Sequence, residues 1–337
     1  MTIGIALCTY NGEKYLSQQL ESIINQTIKP DIIYVNDDNS TDNTLDILDK
    51  YAKEAKITFD IQVNKENLGY ISNFENVISR CETEIILPSD QDDIWLQKKI
   101  EELCAPFEDD AVMLSFGNSE LVDDELKSMG RTLFDQILFP KSKRKRAQKG
   151  KLFEIMVEHN VISGHCMAFR RTLLDYALPF NRNFQWDYWL GIIAVSSFKY
   201  AIIDKVFVNY RIHDTNVVGS FEKTYLSIRW LSMINMWIRY KLGMKVSSPL
   251  PTMDRQNLNE HRKQQQLEIE EELTSRGLGN DFSFKVLNEK MFHLEVRKNL
   301  NKYRILRIPT ICKELISGRY FKYSRGLLSA FIDMFRN

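Results

Sequence analysis

Glu84–Trp95 reads EIILPSDQDDIW: an apolar run, three carboxylates within four residues (Asp90, Asp92 and Asp93), then a tryptophan. A short apolar run bounded by polar residues fits a buried strand, and the acids fall where that strand ends. Working outward, the pattern recurs. Upstream, TIGIALCT (2–9), DIIYV (31–35) and ITFDIQV (57–63) read as strands. Between them lie segments of helical period. GEKYLSQQLESIINQT (12–27) puts Leu16, Leu20, Ile23 and Ile24 on one face. STDNTLDILDKYA (40–52) offers Ser40 or Thr41 as a cap and turns Leu45 and Leu48 inward, and YISNFENVISRC (70–81) is a third helix. AVMLSF (111–116) supplies a fifth strand. Alternating strands and helices predict an α/β fold, a mostly parallel, Rossmann-like sheet flanked by helices on both faces.

In such sheets functional groups gather beyond the carboxyl ends of the strands. Four polar clusters fall there in succession: CTYNG (8–12), NDDNSTD (36–42), NKENLG (64–69) and SDQDD (89–93). Together they predict a cleft at one sheet edge. Three adjacent carboxylates repel one another unless a cation compensates. Hard divalent ions with oxygen ligands do so, and Mg²⁺ or Mn²⁺ typically bridges to substrate phosphates. In an extended segment Asp90 and Asp92 point to one side, so two carboxylates can meet one ion. Trp95 reads as a packed wall.

The 337 residues carry no net charge, yet residues 1–140 hold 27 acids and 11 bases while residues 141–337 hold 18 acids and 34 bases. The basic half is suited to phosphates, to acidic lipids or to the acidic half itself. Five cysteines show no CxxC or other metal spacing, which suits reduced thiols in the cytoplasm. No signal peptide is visible, and the longest apolar stretch (225–244) is interrupted by Arg229, Arg239 and Lys241, a poor membrane span. KSKRKRAQKGK (141–151) has seven bases and no acid and reads as an exposed, mobile loop. The segment beginning RQNLNEHRK is expected to be a polar, solvent-facing helix within a mainly helical, basic region, 220–337.

IALCTYNGEKYLSQQLESIINQT, IIYVNDDNSTDNT, NLGYISNF and LPSDQDDIW resemble, in order and spacing, the successive signatures of family-2 inverting glycosyltransferases of the GT-A fold. SDQDDIW, with QWDYWL and YRIHDTNVVG downstream, resembles the branch labelled rhamnosyltransferases. The likeness covers roughly residues 1–220. It implies a domain over 1–219, with a nucleotide-sugar half (1–120) and an acceptor half (152–219). It also implies a nucleotide-diphosphate sugar in the cleft, dTDP-rhamnose or a UDP-hexose, with Mn²⁺ or Mg²⁺ as cofactor. Thr9 and Tyr10 would line the nucleotide pocket, and Asp38 would accept from the pyrimidine imide. Asp37 is either a second partner there or a turn residue ahead of Ser40. Asp90 and Asp92 match the Asp-x-Asp that meets ribose and metal, with Asp92 as direct ligand and Asp93 supporting the loop.

Inverting transfer needs a base at the acceptor hydroxyl. Asp187, a lone acid among Phe184, Trp186, Tyr188 and Trp189, is the matching residue, and desolvation by such neighbours raises basicity. The family usually carries Glu-Asp or His-Asp here, whereas this chain has Trp186 before Asp187. A helix-capping role for Asp187 is the alternative. Trp186 and Trp189 could stack on an acceptor sugar or pack in the core, and Gly164 allows close approach of a ligand. His165 reads as a structural histidine. His213 is expected to meet the metal or the diphosphate, and Arg211 to form a surface salt bridge or else reach the diphosphate.

The acceptor expected from the resemblance is a bacterial surface glycan, free or lipid-linked. Nothing in the charge pattern calls for nucleic acid. Lys302–Asn337 has eight bases and two acids with apolar residues interleaved. It suits a cytoplasmic protein held peripherally at an anionic inner membrane face, or helices packed on the catalytic domain or on a second chain as a homo-oligomer. The chain lacks GxGxxG after its first strand and GxxxxGK[ST] anywhere, which excludes the common dehydrogenase and P-loop signatures. A non-catalytic sugar-nucleotide-binding subunit is the rival from outside the enzymes. The retained acids Asp38, Asp90, Asp92 and Asp187 weigh against it.

Overall fold

A computed structural model describes residues 1–213, 255–324 and 326–335. Asn216, Gly219, the 225–244 stretch and the boundary at 219/220 lie outside the described residues. The first half follows the expected alternation: β1 (Ile3–Thr9), α1 (Leu16–Ile24), β2 (Ile32–Asp37), α2 (Thr44–Glu54), β3 (Thr58–Val63), α3 (Tyr70–Arg80) and β4 (Ile85–Ser89). All seven residues of β1 and all five of β4 are buried, as strands covered on both faces must be. β1 pairs in parallel with β2 and β4, and β2 with β3, so the order 3-2-1-4 reverses direction between β1 and β4. The switch point lies beside the acidic loop.

Beyond β4 the sheet becomes mixed. A short β5 (Ile94–Trp95) is followed by α4 (Lys99–Cys104), β6 (Val112–Val122) and β7 (Ser128–Thr132). Then come α5 (Leu133–Gln136), α6 (Lys141–Arg146), α7 (Leu152–Met156), β8 (Met167–Arg170), α8 (Leu174–Ala177), α9 (Trp186–Ser197) and β9 (Lys199–Arg211). The nine-stranded order is β3-β2-β1-β4-β8-β6-β9-β5, with β7 on β6. β8 enters antiparallel between β4 and β6, so the fifth strand read from the sequence does not adjoin the fourth. β9 runs parallel to β6 and antiparallel to β5, which carries the end of β9 back to the acidic loop.

Helices α1, α2 and α4 cover one face of the sheet, over Leu16, Leu20, Leu48 and Leu103. The other face is covered by α3, α7 and α9 together with α10 (Arg255–Ser275) and α11 (Asp281–Lys298). Helix α10 is not simply solvent-facing. Its Ile269 and Leu273 are fully buried in the same core as Phe74 and Trp189. The basic stretch 141–151 is also not a loop. It forms α6 and a wide turn, because Arg144 packs inward, donating to the Phe139 carbonyl at 2.7 Å and pairing with Asp204 at 3.0 Å. Helix α2 begins at Thr44 rather than at Ser40, since Ser40 is held by Asp37 instead. The chain closes with α12 (Arg304–Ile316), α13 (Arg319–Tyr323) and α14 (Leu327–Phe335) around Ile311, Tyr320 and Ala330. No helix among the described residues is long and apolar enough to cross a membrane.

Part of the charge asymmetry is internal. Arg170 pairs with Asp110 at 3.2 Å, Lys205 with Glu102 at 2.6 Å, Arg182 with Glu75 and Lys199 with Asp109, each joining the basic half to the acidic half.

Candidate active site

The loops after β1, β2 and β4 form one wall of a cleft. Gln91 ties the first to the last: Tyr10 N donates to its Oε1 at 2.8 Å and its Nε2 donates to the Tyr10 carbonyl at 3.0 Å. Tyr10 stays 46% exposed, open to a nucleotide. Thr9 is not. Its hydroxyl donates to Asp37 Oδ2 at 2.7 Å and it is buried, so it braces the loop rather than lining a pocket. Asp37 also receives Ser40 N and Oγ at 2.8 and 2.6 Å, which makes it the turn residue. Asp38 accepts from Asn64 Nδ2 and Leu68 N on Oδ1, both 2.8 Å, and from Gly69 N on Oδ2 at 2.9 Å. An ionised carboxylate has about four acceptor positions, so three are filled and the last is on Oδ2.

At the acidic loop, burial and the charges of Asp92 and Asp187 push Asp90 up to about 7. Asp93 is fully buried and is also pushed well up, by burial, Asp92 and Asp90. Its Oδ1 accepts from Arg211 N at 3.1 Å, while Oδ2 is enclosed with no hydrogen-bond partner among the described residues. A buried, unsatisfied carboxylate oxygen is costly. Lys99, a buried cation nearby, is itself pushed down to about 7 by desolvation. Its Nζ donates to the His165 carbonyl at 2.7 Å and sits 3.1 Å from the centroid of Trp95, which forms the expected wall. The partnerless Asp93 oxygen, with the carboxylates of Asp90 and Asp92 beside it, fits the demand of a hard divalent cation.

His213 lies on Asp92, Nε2 to Oδ2 at 3.0 Å. Asp92 and His213 therefore form one ligand-capable pair. Asp90, Asp93 and His165 form another group, with ligand atoms within 4.8 Å of one another. His165 already uses both nitrogens, on Ser119 Oγ at 2.8 Å and Ser163 Oγ at 2.9 Å, and stacks on Tyr210. It is a satisfied core histidine. Arg211 is not a surface residue. Only 2% exposed, it donates from Nε to the Asp92 carbonyl at 2.9 Å, from Nη2 to Gln18 at 2.7 Å, and from Nη1 to the Asp124 carbonyl.

Asp187 stands in the first turn of α9, across the cleft. Burial pushes it up to about 6, against the pull of Gly164 N (3.1 Å), Tyr188 N (2.6 Å) and Asn160 Nδ2 (3.2 Å). The helix cap position is Gln185, so Asp187 is not the N-cap. Asp187 lies within electrostatic reach of the acid cluster: its charge adds to burial and Asp92 in raising Asp90, and burial, then Asp93, Asp90, Asp92 and Asp187, raises the Tyr210 phenol.

The aromatic expectations need correcting. Trp186 is 5% exposed and stacks on Phe74 with centroids 4.4 Å apart. Trp189 is 1% exposed, donates from Nε1 to the Ala177 carbonyl at 2.8 Å and lies under Arg276. Neither offers a face to a sugar. Gly164 admits the Trp186 ring, which any Cβ there would overlap, rather than a ligand. The open space on this side is a cavity of about 380 Å³ lined by Asn160, Gln185, Tyr188, Arg182, Gln266 and Lys290. Gln266 Oε1 is buried there with no partner among the described residues. Acidic patterning marks the carboxylates in the sequence. Gln91, Asn160 and Gln266 were missed because amides carry no charge signal.

Comparison with known proteins fits this geometry. The glycosyl transferase family 2 model matches residues 5–177. The dTDP-rhamnosyl transferase RfbG of Shigella flexneri is 28% identical over 254 residues, 69% of this chain and 81% of that protein. Chondroitin synthase of Escherichia coli is 28% identical over 80% of this chain but only 37% of its own length. Among solved structures, Staphylococcus aureus TarS 1–349 in complex with UDP-GlcNAc aligns over 96% of this chain and 88% of that one, with a TM-score of 0.52 at 19% identity. The shared fold is α/β of the GT-A type.

Proposed function

The chain belongs to glycosyl transferase family 2, and on that premise we propose that it is an inverting, metal-dependent transferase acting on a nucleotide-diphosphate sugar. The observation that carries the reading is the placement of Asp92, paired with His213 at 3.0 Å, beside Asp90 and Asp93 on one loop, with Asp187 near enough to help raise Asp90. In the proposed reaction Asp187 takes the proton of the acceptor hydroxyl. The acceptor oxygen bonds to the anomeric carbon from the face opposite the leaving group. The bond from that carbon to the phosphate oxygen breaks, and the nucleoside diphosphate departs with the electron pair. Mn²⁺ or Mg²⁺, held by Asp92 with His213 and Asp90 as its neighbours, would neutralise charge on the leaving diphosphate. Holding donor and acceptor in line is the remaining contribution of the cleft.

The donor side is the Tyr10 face, and the acceptor enters by the cavity at Asn160 and Gln266. The likeness to a dTDP-rhamnosyl transferase supports dTDP-rhamnose as the donor, with a surface glycan as acceptor. The last acceptor position on Asp38 suits the N3–H of thymine or uracil and not cytosine, whose N3 is itself an acceptor. Calorimetry with Mn²⁺ should therefore show dTDP and UDP binding well above CDP; equal affinity for CDP removes Asp38 from this role. The central test is Asp92→Ala. Losing a group that stabilises developing charge costs ~10²–10³ in turnover. Transfer that survives undiminished in this variant, or in EDTA, would overturn the metal assignment.

A further inference from the structure

The last three helices are built inside out. Their two acids, Glu314 and Asp333, are 2% and 0% exposed. Glu314 is held by His293 at 2.7 Å and Arg319 at 2.6 Å, and Asp333 by Arg297 at 2.6 Å and Tyr320 at 2.9 Å. Arg307 is likewise buried, donating to the carbonyls of Asn301 and Asp333. Around a small core of Ile311, Tyr320 and Ala330, much of the remaining apolar surface is outside. On α12, Ile305, Ile308 and Ile316 are 79%, 41% and 88% exposed, and their spacing puts them, with exposed Pro309 and Cys312, on one face. On the following helices Phe321 and Leu327 are 54% and 66% exposed. Phe321 lies against Gly326, where a Cβ would stand 2.8 Å from its ring, next in sequence to Leu327.

A surface helix ordinarily turns its apolar stripe inward. Here internal ion pairs fix the helices in the opposite sense, leaving apolar side chains in water beside exposed Lys302 and Lys313. We propose that this outer face docks on an anionic lipid bilayer. Charge decides the occupant. With both acids sequestered, the charged side chains left at the surface of residues 302–335 are bases among the described residues. A second copy meeting the same face would oppose base to base, whereas anionic headgroups complement it. An apolar row flanked by bases settles ~5–10 Å into the interface without spanning it. The proposal deepens the glycosyltransferase reading, since it would bring the cleft to a lipid-linked acceptor, but docking itself does not depend on catalysis.

Co-sedimentation of the full chain with phosphatidylglycerol-containing vesicles and with pure phosphatidylcholine vesicles tests it. Each base near an anionic leaflet favours binding ~5-fold, so the anionic vesicles should bind at least ~10-fold more tightly, and high salt should release the protein. Ile305→Glu with Ile316→Glu should lower partition at least ~10-fold while leaving the melting temperature and solution nucleotide-sugar hydrolysis unchanged. Absence of vesicle binding, equal binding to neutral vesicles, or full binding by the double variant overturns the proposal. So does a concentration-dependent dimer, seen by sedimentation velocity, that the same substitutions split. Hydrolysis in vesicle-free buffer reports separately on the proposed activity, so the two failures are distinguishable.

Discussion

At Asp187 the proposed base also carries a cost in stability. It titrates near 6 in the fold against 3.8 in a free chain. The raised value means that the folded state holds its proton more tightly than the unfolded chain. Stability associated with this group is therefore present below pH ~4 and lost as pH rises through ~6, up to ~3 kcal/mol. As a base the group works only when deprotonated, so transfer should climb through pH 6 and then level off. Asp187→Asn should keep donor binding and lose transfer by ~10²–10⁴. In urea titrations its stability relative to wild type should be better at pH 7 than at pH 4; a gap independent of pH would contradict the buried-charge account. Asp187 was legible because an acid among four aromatics is conspicuous. The neighbouring tryptophans misled for the same reason. Ring count along a sequence does not say which faces the core has covered, and Phe74, from another helix, covers Trp186.

Elements whose patterning is local were readable, and those set by long-range pairing were not. β1 to β4 and their helices follow from apolar runs and helical period. The entry of β8 between β4 and β6 does not, because antiparallel partners as distant in sequence as Ile85 and Arg170 leave no local mark. The 141–151 stretch shows the same limit: its charge density argued for a loop, yet Arg144 finds Asp204, a partner 60 residues away. Arg211 shows what such pairing does for the site. Placed by β9, it fastens the acidic loop through the Asp92 carbonyl and Asp93 Oδ1, and reaches Gln18 on α1. A lysine cannot reproduce a planar fork with several fixed donors. Arg211→Lys should cost ~1–3 kcal/mol in stability and weaken Mn²⁺-dependent nucleotide-diphosphate binding, read as a smaller thermal shift on adding both. A wild-type shift in this variant would mean that the loop holds its geometry unaided.

For the whole molecule, the question is whether the C-terminal helices fold with the catalytic sheet or beside it. Sequence suggested a division, a motif-bearing domain followed by a basic helical region. The described helices 255–298 nevertheless share a core with the sheet. Ile269, Leu273 and Leu287 are fully buried among residues of α3, α7 and α9, and Arg276 donates to the carbonyls of Tyr176 and Leu178 at 2.8 and 3.0 Å. Asn181 beside them donates to Glu268 and Glu272, both at 2.9 Å. Helices that share a core with the sheet should melt with it. Leu273→Ala removes a fully enclosed side chain, which typically costs ~2–5 kcal/mol depending on how far the cavity collapses. Scanning calorimetry should then show the main transition moved to lower temperature, with the sheet and the helices still unfolding together. If the regions fold independently, the variant would instead split off a low-temperature transition and leave the sheet's own melting temperature where it was. Nucleotide-diphosphate binding supplies the second readout. Through α9, which carries Asp187 and packs against this core, the substitution should weaken the cleft even though Leu273 lies on a helix far along the chain from every acid in it.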